Sequence, residues 1–508
     1  MKKFLAVLSS LLCVTLVGCN SGQRPTPDSG DDGTDPTRAK KLIVGVYDGA
    51  VGYEFAESIA ELYEAYNKDV DVVIKHKKNE YDDGSLISKI AYNEEDMYFG
   101  SGNNLLSFVH NGLVAELTDA VREKVYDAEG NYDPINGTKS IEDIMWDEWE
   151  AFNMIDGKYY GIPNFSPAGG ISYDEDLFEA KGYQVPETYD ELITLMNQMV
   201  VDKITPFTVC SVQDYIISTA VAFYANYEGK NNFLLNSTYS GTDSNLGKID
   251  YTNAYLLQQQ EGRKAYFQFL YDLAHNDDYT TSASKGSQTN LNAQDAFVSS
   301  IGGSERIGMI IENSFWEREA KGTIEQLGDL NANWGWGKRN FKYMIAPVNK
   351  QTDKKTVFLT YPTSSVFISA NSDQIELAKE FMQFSCSREC LAIYTRDSGC
   401  LRAFDYEVKA EEYAQMTPYT QSLVDLTRRD DVDFVTMGQG NMIARNIGVA
   451  YYRDWTNQSL TTKYGLKTMP FSAFRAYSDL TVEDYFAGCA RHMSADTYKT
   501  YYDKVYGD

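Results

Sequence analysis

The chain has 508 residues, 43% of them hydrophobic and 23% charged, which is a soluble composition with enough apolar chain for a large core. Its formal net charge of −27 sets a negative field over the surface. That field excludes nucleic-acid backbones and anionic lipid headgroups as direct partners and favours a neutral ligand.

Taken in chain order, Lys2 and Lys3 precede an apolar run from Phe4 to Val17, and small residues then lead to Cys19. This is the three-part pattern of a secretory signal over residues 1–18. The run is too short to span a bilayer, which needs about 20 apolar residues. Leu16-Val17-Gly18-Cys19 resembles the bacterial lipobox. The resemblance implies a diacylglyceryl group on the Cys19 sulfur, cleavage before it, and a stable membrane anchor on the extracytoplasmic face. An ordinary cleaved signal with a chance cysteine is the plainer alternative. Residues 19–39 are mostly Gly, Ser, Thr, Pro and Asp, so they read as a flexible linker.

From residue 40 the pattern becomes α/β. Leu42 to Tyr47 is an apolar run of strand length. Phe55, Ile59, Leu62, Tyr63 and Tyr66 share one face of a helix over Tyr53 to Asn67, and Val70, Val72 and Ile74 alternate as in a strand. That is a β-α-β unit, which requires a parallel pair with a right-handed crossover. Further elements follow: a helix near Ser85 to Tyr92, a strand Met97 to Phe99, and a helix near Asn104 to Val114. Beyond Gly157 to Pro163, Thr188 and Glu191 form a capping box that opens a helix to about Val200. Gln260 to His275 is a core-packing helix, while Gly308 to Ile311, Lys342 to Ala346 and Ser364 to Ile368 are strands. Ile375 to Phe384 is an amphipathic helix with Asn371 or Ser372 as its cap. Besides Cys19 the processed chain keeps Cys210, Cys386, Cys390, Cys400 and Cys489. That odd number makes no complete disulfide framework, although an oxidising compartment would allow a bridge. Cys386 and Cys390, on one predicted helix, read as buried thiols.

Several blocks then fall in a telling order: Tyr47-Asp48-Gly49-Ala50-Val51-Gly52-Tyr53, Asp96 to Phe99, and Asn111 to Thr118. Gly157 to Pro163 with Ile171 to Asp174 comes next, then Pro186 to Leu192, Arg306 to Ile311 with Trp316, and Ala378 to Phe381 before Gly399. This order resembles the family 1 extracellular solute-binding proteins, the maltose-binding-protein-like receptors of ABC sugar importers. The resemblance implies a two-lobed periplasmic-binding-protein-like fold of type 2, its lobes joined by a hinge that the chain crosses more than once. It places 40–162 and 306–360 in the N-terminal lobe and 163–305 and 361–508 in the C-terminal lobe. Residues 228–247 and 430–470 fit it least. A carbohydrate ligand, ABC permease subunits and a monomeric receptor without cofactor follow as implied partners and state.

A sugar receptor needs planar polar groups for hydroxyls and aromatic faces for C–H patches, and in open sheets these sit beyond the carboxyl ends of strands. Asp48 and Tyr53 flank the first such turn. Ser101, Asn103 and Asn104 follow the strand Met97 to Phe99, where N-capping explains them equally well. Asn164, Phe165 and Tyr361 lie at the expected lobe crossings. Asn313, Phe315 and Trp316 follow a strand, with Trp316 as the foremost stacking candidate, and Trp455 is a second platform in the poorly matched tract. Trp146, Trp149, Trp334 and Trp336 match no position and read as packing.

The rivals are an exported glycoside hydrolase, which would use a carboxylate pair roughly 5–10 Å apart, and a surface adhesin. No G-x-S-x-G, H-E-x-x-H or P-loop motif is present. His76, His110, His275 and His492 are not spaced as a metal pair and read as structural or exposed.

Overall fold

Leu42, Val44 and Val46 are fully buried on successive inward positions of the first strand, Lys40–Val46. The strand pairs in parallel with Val70–His76 on one side and with Met97–Phe99 on the other, so the expected β-α-β unit is present. The computed structural model describes residues 39–76, 83–92, 94–100, 105–210, 215–360, 364–436, 481–492 and 494–506. The linking helix Glu54–Tyr66 buries Phe55, Ile59 and Tyr63, and Phe55 packs against Tyr394 of the helix Arg388–Ser398 with ring centroids 4.4 Å apart. Ser365–Ile368 and Ile162–Pro163 complete this first sheet as antiparallel strands.

A second sheet has the order Phe341–Met344, Gly169–Asp174, Arg306–Asn313, Ile204–Val209. One face is covered by the helices Tyr215–Glu228 and Gly262–His275, where Phe223 stacks on Phe269 at 4.3 Å. Beneath the other face lie Phe297, Trp316, Phe341 and Tyr419. Lys355–Leu359 and Val432–Thr436 form a separate parallel ladder. Each sheet with its helices is one lobe.

The lobe boundaries differ from the sequence expectation. Residues 306–360 were expected in the N-terminal lobe, yet Arg306–Asn313 is hydrogen-bonded between two strands of the second sheet. Residues from 361 were assigned to the C-terminal lobe, yet Ser365–Ile368 belongs to the first sheet, and the helices to Ser398 pack beside it. The chain returns to the second lobe only with Pro418–Thr427. A strand buried on both faces announces its burial but not its neighbours.

Smaller departures have local causes. The helix expected to reach Val114 is Leu105–His110, and Gly112 beyond it has φ +66°, a left-handed conformation that suits glycine. Gln374 caps Ile375–Phe384 without a side-chain bond; Ser372 Oγ instead accepts from Gln374 N at 2.8 Å and donates to Asp96 Oδ1 at 2.6 Å. Cys386 lies between two helices while Cys390 is on the second; both are buried and unbridged, as are Cys210, Cys400 and Cys489. The Thr188–Glu191 capping box forms as the sequence dictates. Leu235 and Tyr239 of the 228–247 tract join Ile249 and Leu257 beyond it in a small satellite core, closed by Tyr498 from the helix Ala495–Tyr506.

Candidate functional site

The two lobes meet along crossing segments that bond to one another. Ser166 N donates to Leu401 O at 2.9 Å, Thr360 N to Pro167 O at 2.7 Å, and Asn164 N to Ser364 O at 3.2 Å. The carboxyl ends of the first sheet's parallel strands and of Arg306–Asn313 flank this ribbon, where an open α/β sheet places ligands.

On the first lobe, the loop after Lys40–Val46 brings Asp48 beside the end of Val70–His76. Asp48 Oδ2 lies 3.1 Å from His76 Nδ1, and the Tyr53 ring stacks on the imidazole with centroids 3.3 Å apart. Gly52 has φ +68°, and a side chain there would collide with the guanidinium of Arg318. Arg318, from the second lobe, forms an ion pair with Glu54 of the first. Partial burial acts to raise the Glu54 carboxyl, but the charge and hydrogen bond of Arg318 outweigh it and hold the group below the usual carboxylate range.

At the crossing, Asn164 is buried and its Nδ2 donates to Gly100 O at 2.9 Å, an oxygen that also accepts from Ser364 Oγ at 2.7 Å. Its Oδ1 is buried with no hydrogen-bond partner among the described residues. Phe165 packs in the first lobe's core. Arg402 is fully enclosed: Nη2 donates to Pro163 O at 2.7 Å, Nη1 donates to Ser385 O at 3.3 Å, and the guanidinium lies 5.0 Å from the Phe404 ring centroid.

The second lobe contributes Asn313, which is fully buried with neither side-chain polar atom paired among the described residues, and Phe315, which packs with the first lobe's core and meets Tyr215 edge-on at 6.0 Å. Trp316 turns the other way. Its ring is completely covered by Phe297, Phe341 and Tyr419, with centroids 5.1 to 5.4 Å away, and Nε1 donates to Ser172 Oγ at 2.9 Å. An indole with no open face is core here, not a stacking platform. Beside it Glu312 is buried with both oxygens unpaired among the described residues; burial, reinforced by Glu319, pushes its pKa well above the carboxylate range.

The structure therefore gathers Asp48, Tyr53, Asn164, Phe165, Asn313 and Phe315 around the lobe boundary and sends Trp316 into the interior. Ser101, Asn103, Asn104, Tyr361, Trp455 and Cys19 lie outside the described residues. His76, Glu54, Arg318 and Arg402 were missed by sequence reasoning. Only His76 carried a signal, as the polar residue closing an apolar strand.

A second concavity, about 680 Å³, lies elsewhere between the lobes, lined by Trp146, Glu148, Lys230, Phe404, Asp405 and Phe434 among others. Trp146 Nε1 donates to Asp405 Oδ1 at 2.8 Å, its ring packs on Phe434, and Glu148 pairs with Lys230 at 2.6 Å. No predicted site residue lines it. Among the described residues no group of His, Cys, Asp and Glu could hold a metal ion, and no helix is long and apolar enough to cross a membrane.

Comparison with known proteins agrees with this architecture. A mannobiose-bound binding protein of an ABC transporter from Bifidobacterium animalis subsp. lactis superposes with a TM-score of 0.54 at 15% identity, covering 91% of this chain and 95% of that one. The ABC substrate-binding protein Lmo0181 from Listeria monocytogenes, bound to cycloalternan, gives 0.53 at 16% identity, covering 87% and 97%. In sequence, a segment of 64 residues, 13% of the chain, is 30% identical to the multiple sugar-binding protein of Streptococcus mutans; it spans only 15% of that relative's length. The two superpositions establish a shared two-lobed fold. The chain belongs to the bacterial extracellular solute-binding protein family, whose sequence model matches residues 61–419.

Proposed function

We propose that this chain is the carbohydrate-binding subunit of an ABC importer for an oligosaccharide, acting as a monomer that captures its ligand, closes and delivers it to permease subunits without bond chemistry. The observation that carries the reading is the meeting of planar polar and aromatic side chains from both lobes at the strand ends: Asp48 and Tyr53 on one side, Asn164 at the crossing, and Asn313 and Phe315 on the other. Buried polar atoms without a partner among the described residues, both those of the Asn313 amide and Oδ1 of Asn164, carry a desolvation cost that a hydroxyl-rich ligand offsets on binding. The sugars held by the structural relatives, and the name of the sequence relative, support the same ligand class. Ser101, Asn103 and Asn104, which follow Gly100, and Tyr361 would complete the cleft.

Thermal melting in the presence of mannobiose, cycloalternan and a wider glycan panel tests this. A sugar at 100 times its Kd stabilises the folded state by about 2.7 kcal/mol, so one sugar is expected to raise the melting temperature by several degrees and to be recovered intact. No shift with any glycan overturns the reading. Cleavage of the bound sugar replaces it with a hydrolase.

We further propose that lipid on Cys19 holds the receptor at the membrane. Cys19→Ala is expected to move the protein from the membrane fraction to the soluble fraction with ligand affinity unchanged; retention at the membrane would remove the anchor from the account.

A further inference from the structure

His76 lies where the ends of two adjacent parallel strands come together. In the register of the first sheet His76 pairs with Val46, so its side chain emerges beside the loop that carries Asp48 and Tyr53. Three neighbours define its setting. Asp48 Oδ2 engages Nδ1 at 3.1 Å, the Tyr53 ring lies parallel to the imidazole at an interplanar angle of 9°, and Glu57 of the following helix adds a carboxylate to its electrostatic surroundings. A carboxylate can only accept, so Nδ1 is the nitrogen that donates to Asp48, which leaves Nε2 as the ring nitrogen turned away from it and able to accept when it carries no proton. Tyr53 fixes the ring plane, so that acceptor has a defined direction.

A histidine serving only to pack would be enclosed. The His76 and Asp48 side chains instead remain 21% and 24% exposed, at a strand end where the fold places ligands. Arg318 reaches from the second lobe to Glu54, the residue after Tyr53, so both lobes come together beside this pair.

We infer that His76 is a ligand-contacting residue of the first lobe, with Asp48 and Tyr53 orienting it so that Nε2 accepts a hydrogen bond from a sugar hydroxyl. The inference rests on the carbohydrate-binding reading and deepens it. It assigns to His76 a contact and to Asp48 a positioning role that the sequence alone did not distinguish.

The test uses whichever of mannobiose and cycloalternan raises the melting temperature of the full chain. His76→Asn keeps an amide near Nδ1 for Asp48 but removes Nε2. It should weaken sugar binding about tenfold, the scale of one well-placed hydrogen bond, while leaving the ligand-free melting temperature unchanged. A wild-type affinity in this variant overturns the proposal. A second measurement does not depend on a variant folding. The chain has four histidines, so their ring signals in a proton–carbon NMR spectrum can be assigned by single substitutions. Titration with the sugar should shift the His76 ring signal, and a bound state with that signal unmoved also overturns the proposal. If neither sugar binds the wild type while another glycan does, that glycan becomes the probe; if no glycan binds, the carbohydrate reading falls first and takes this assignment with it.

Discussion

Trp316→Ala is expected to destabilise the second lobe by about 3–5 kcal/mol, the range for removing a large aromatic from a packed core. The ring is completely buried among Phe297, Phe341 and Tyr419, and its loss also leaves Ser172 Oγ without the indole donor. Trp316→Phe should recover most of the stability, because it refills most of the volume and forfeits mainly the hydrogen bond. Urea unfolding of both variants, with sugar affinity measured on the folded fraction, separates core from platform. If the alanine variant were as stable as wild type but blind to sugar, Trp316 would be a ligand residue after all.

Alkaline pH should loosen the same lobe. Glu317 follows Trp316, is almost fully buried, and accepts a 2.5 Å hydrogen bond from Thr417 Oγ1. Burial raises its pKa to about 8, with the Thr417 bond opposing. Unfolded, the carboxyl returns to its ordinary value near 4.5, so the folded state holds the proton more tightly. The stabilisation is full below that unfolded value and is lost as pH rises through the folded one. At 1.36 kcal/mol per pH unit, the loss across this window is on the order of 5 kcal/mol. Glu312 is shifted in the same direction by burial and by Glu319. Glu317→Gln keeps an acceptor for Thr417 and removes the proton. Its urea midpoint should decline less between pH 5 and pH 9 than that of the wild type, and an unchanged slope would show that Glu317 is not the group responsible.

These two neighbours also show where sequence reasoning reached its limit. A strand leading into Asn-Ser-Phe-Trp makes Trp316 the foremost stacking candidate, with Phe315 beside it. The short helix Trp316–Glu319 begins at that point, and its first residue turns back under the sheet while Phe315 faces the opposite lobe. One residue of phase sends the two buried rings into different cores, Phe315 toward the first lobe and Trp316 beneath the second sheet, and phase at a strand-to-helix junction is not written in composition. Features settled by neighbours in sequence were legible. The apolar run from Leu42 to Tyr47 pointed to the first strand, and Thr188 with Glu191 specified a helix start.

Features settled by residues far apart were not legible. His76 acquires its meaning from Asp48, 28 positions away. Arg402 looks like any surface arginine until the carbonyl of Pro163, 239 positions distant, is seen to accept from it. The second lobe crossing was misplaced for the same reason, since the burial pattern of Arg306–Asn313 is satisfied in either sheet.

The interleaving of the two sheets has a consequence for biogenesis. Ser365–Ile368 bridges Met97–Phe99 and Ile162–Pro163 in the first sheet, and almost the whole second sheet lies between them in the chain. As the polypeptide emerges from its N-terminus, the first lobe remains a three-stranded fragment with an open edge until residue 368 has been made. By then all four strands of the second sheet are already available. The later-starting lobe is thus the first whose sheet can close, and the lobe that opens the sequence must wait for a strand made after that sheet is complete.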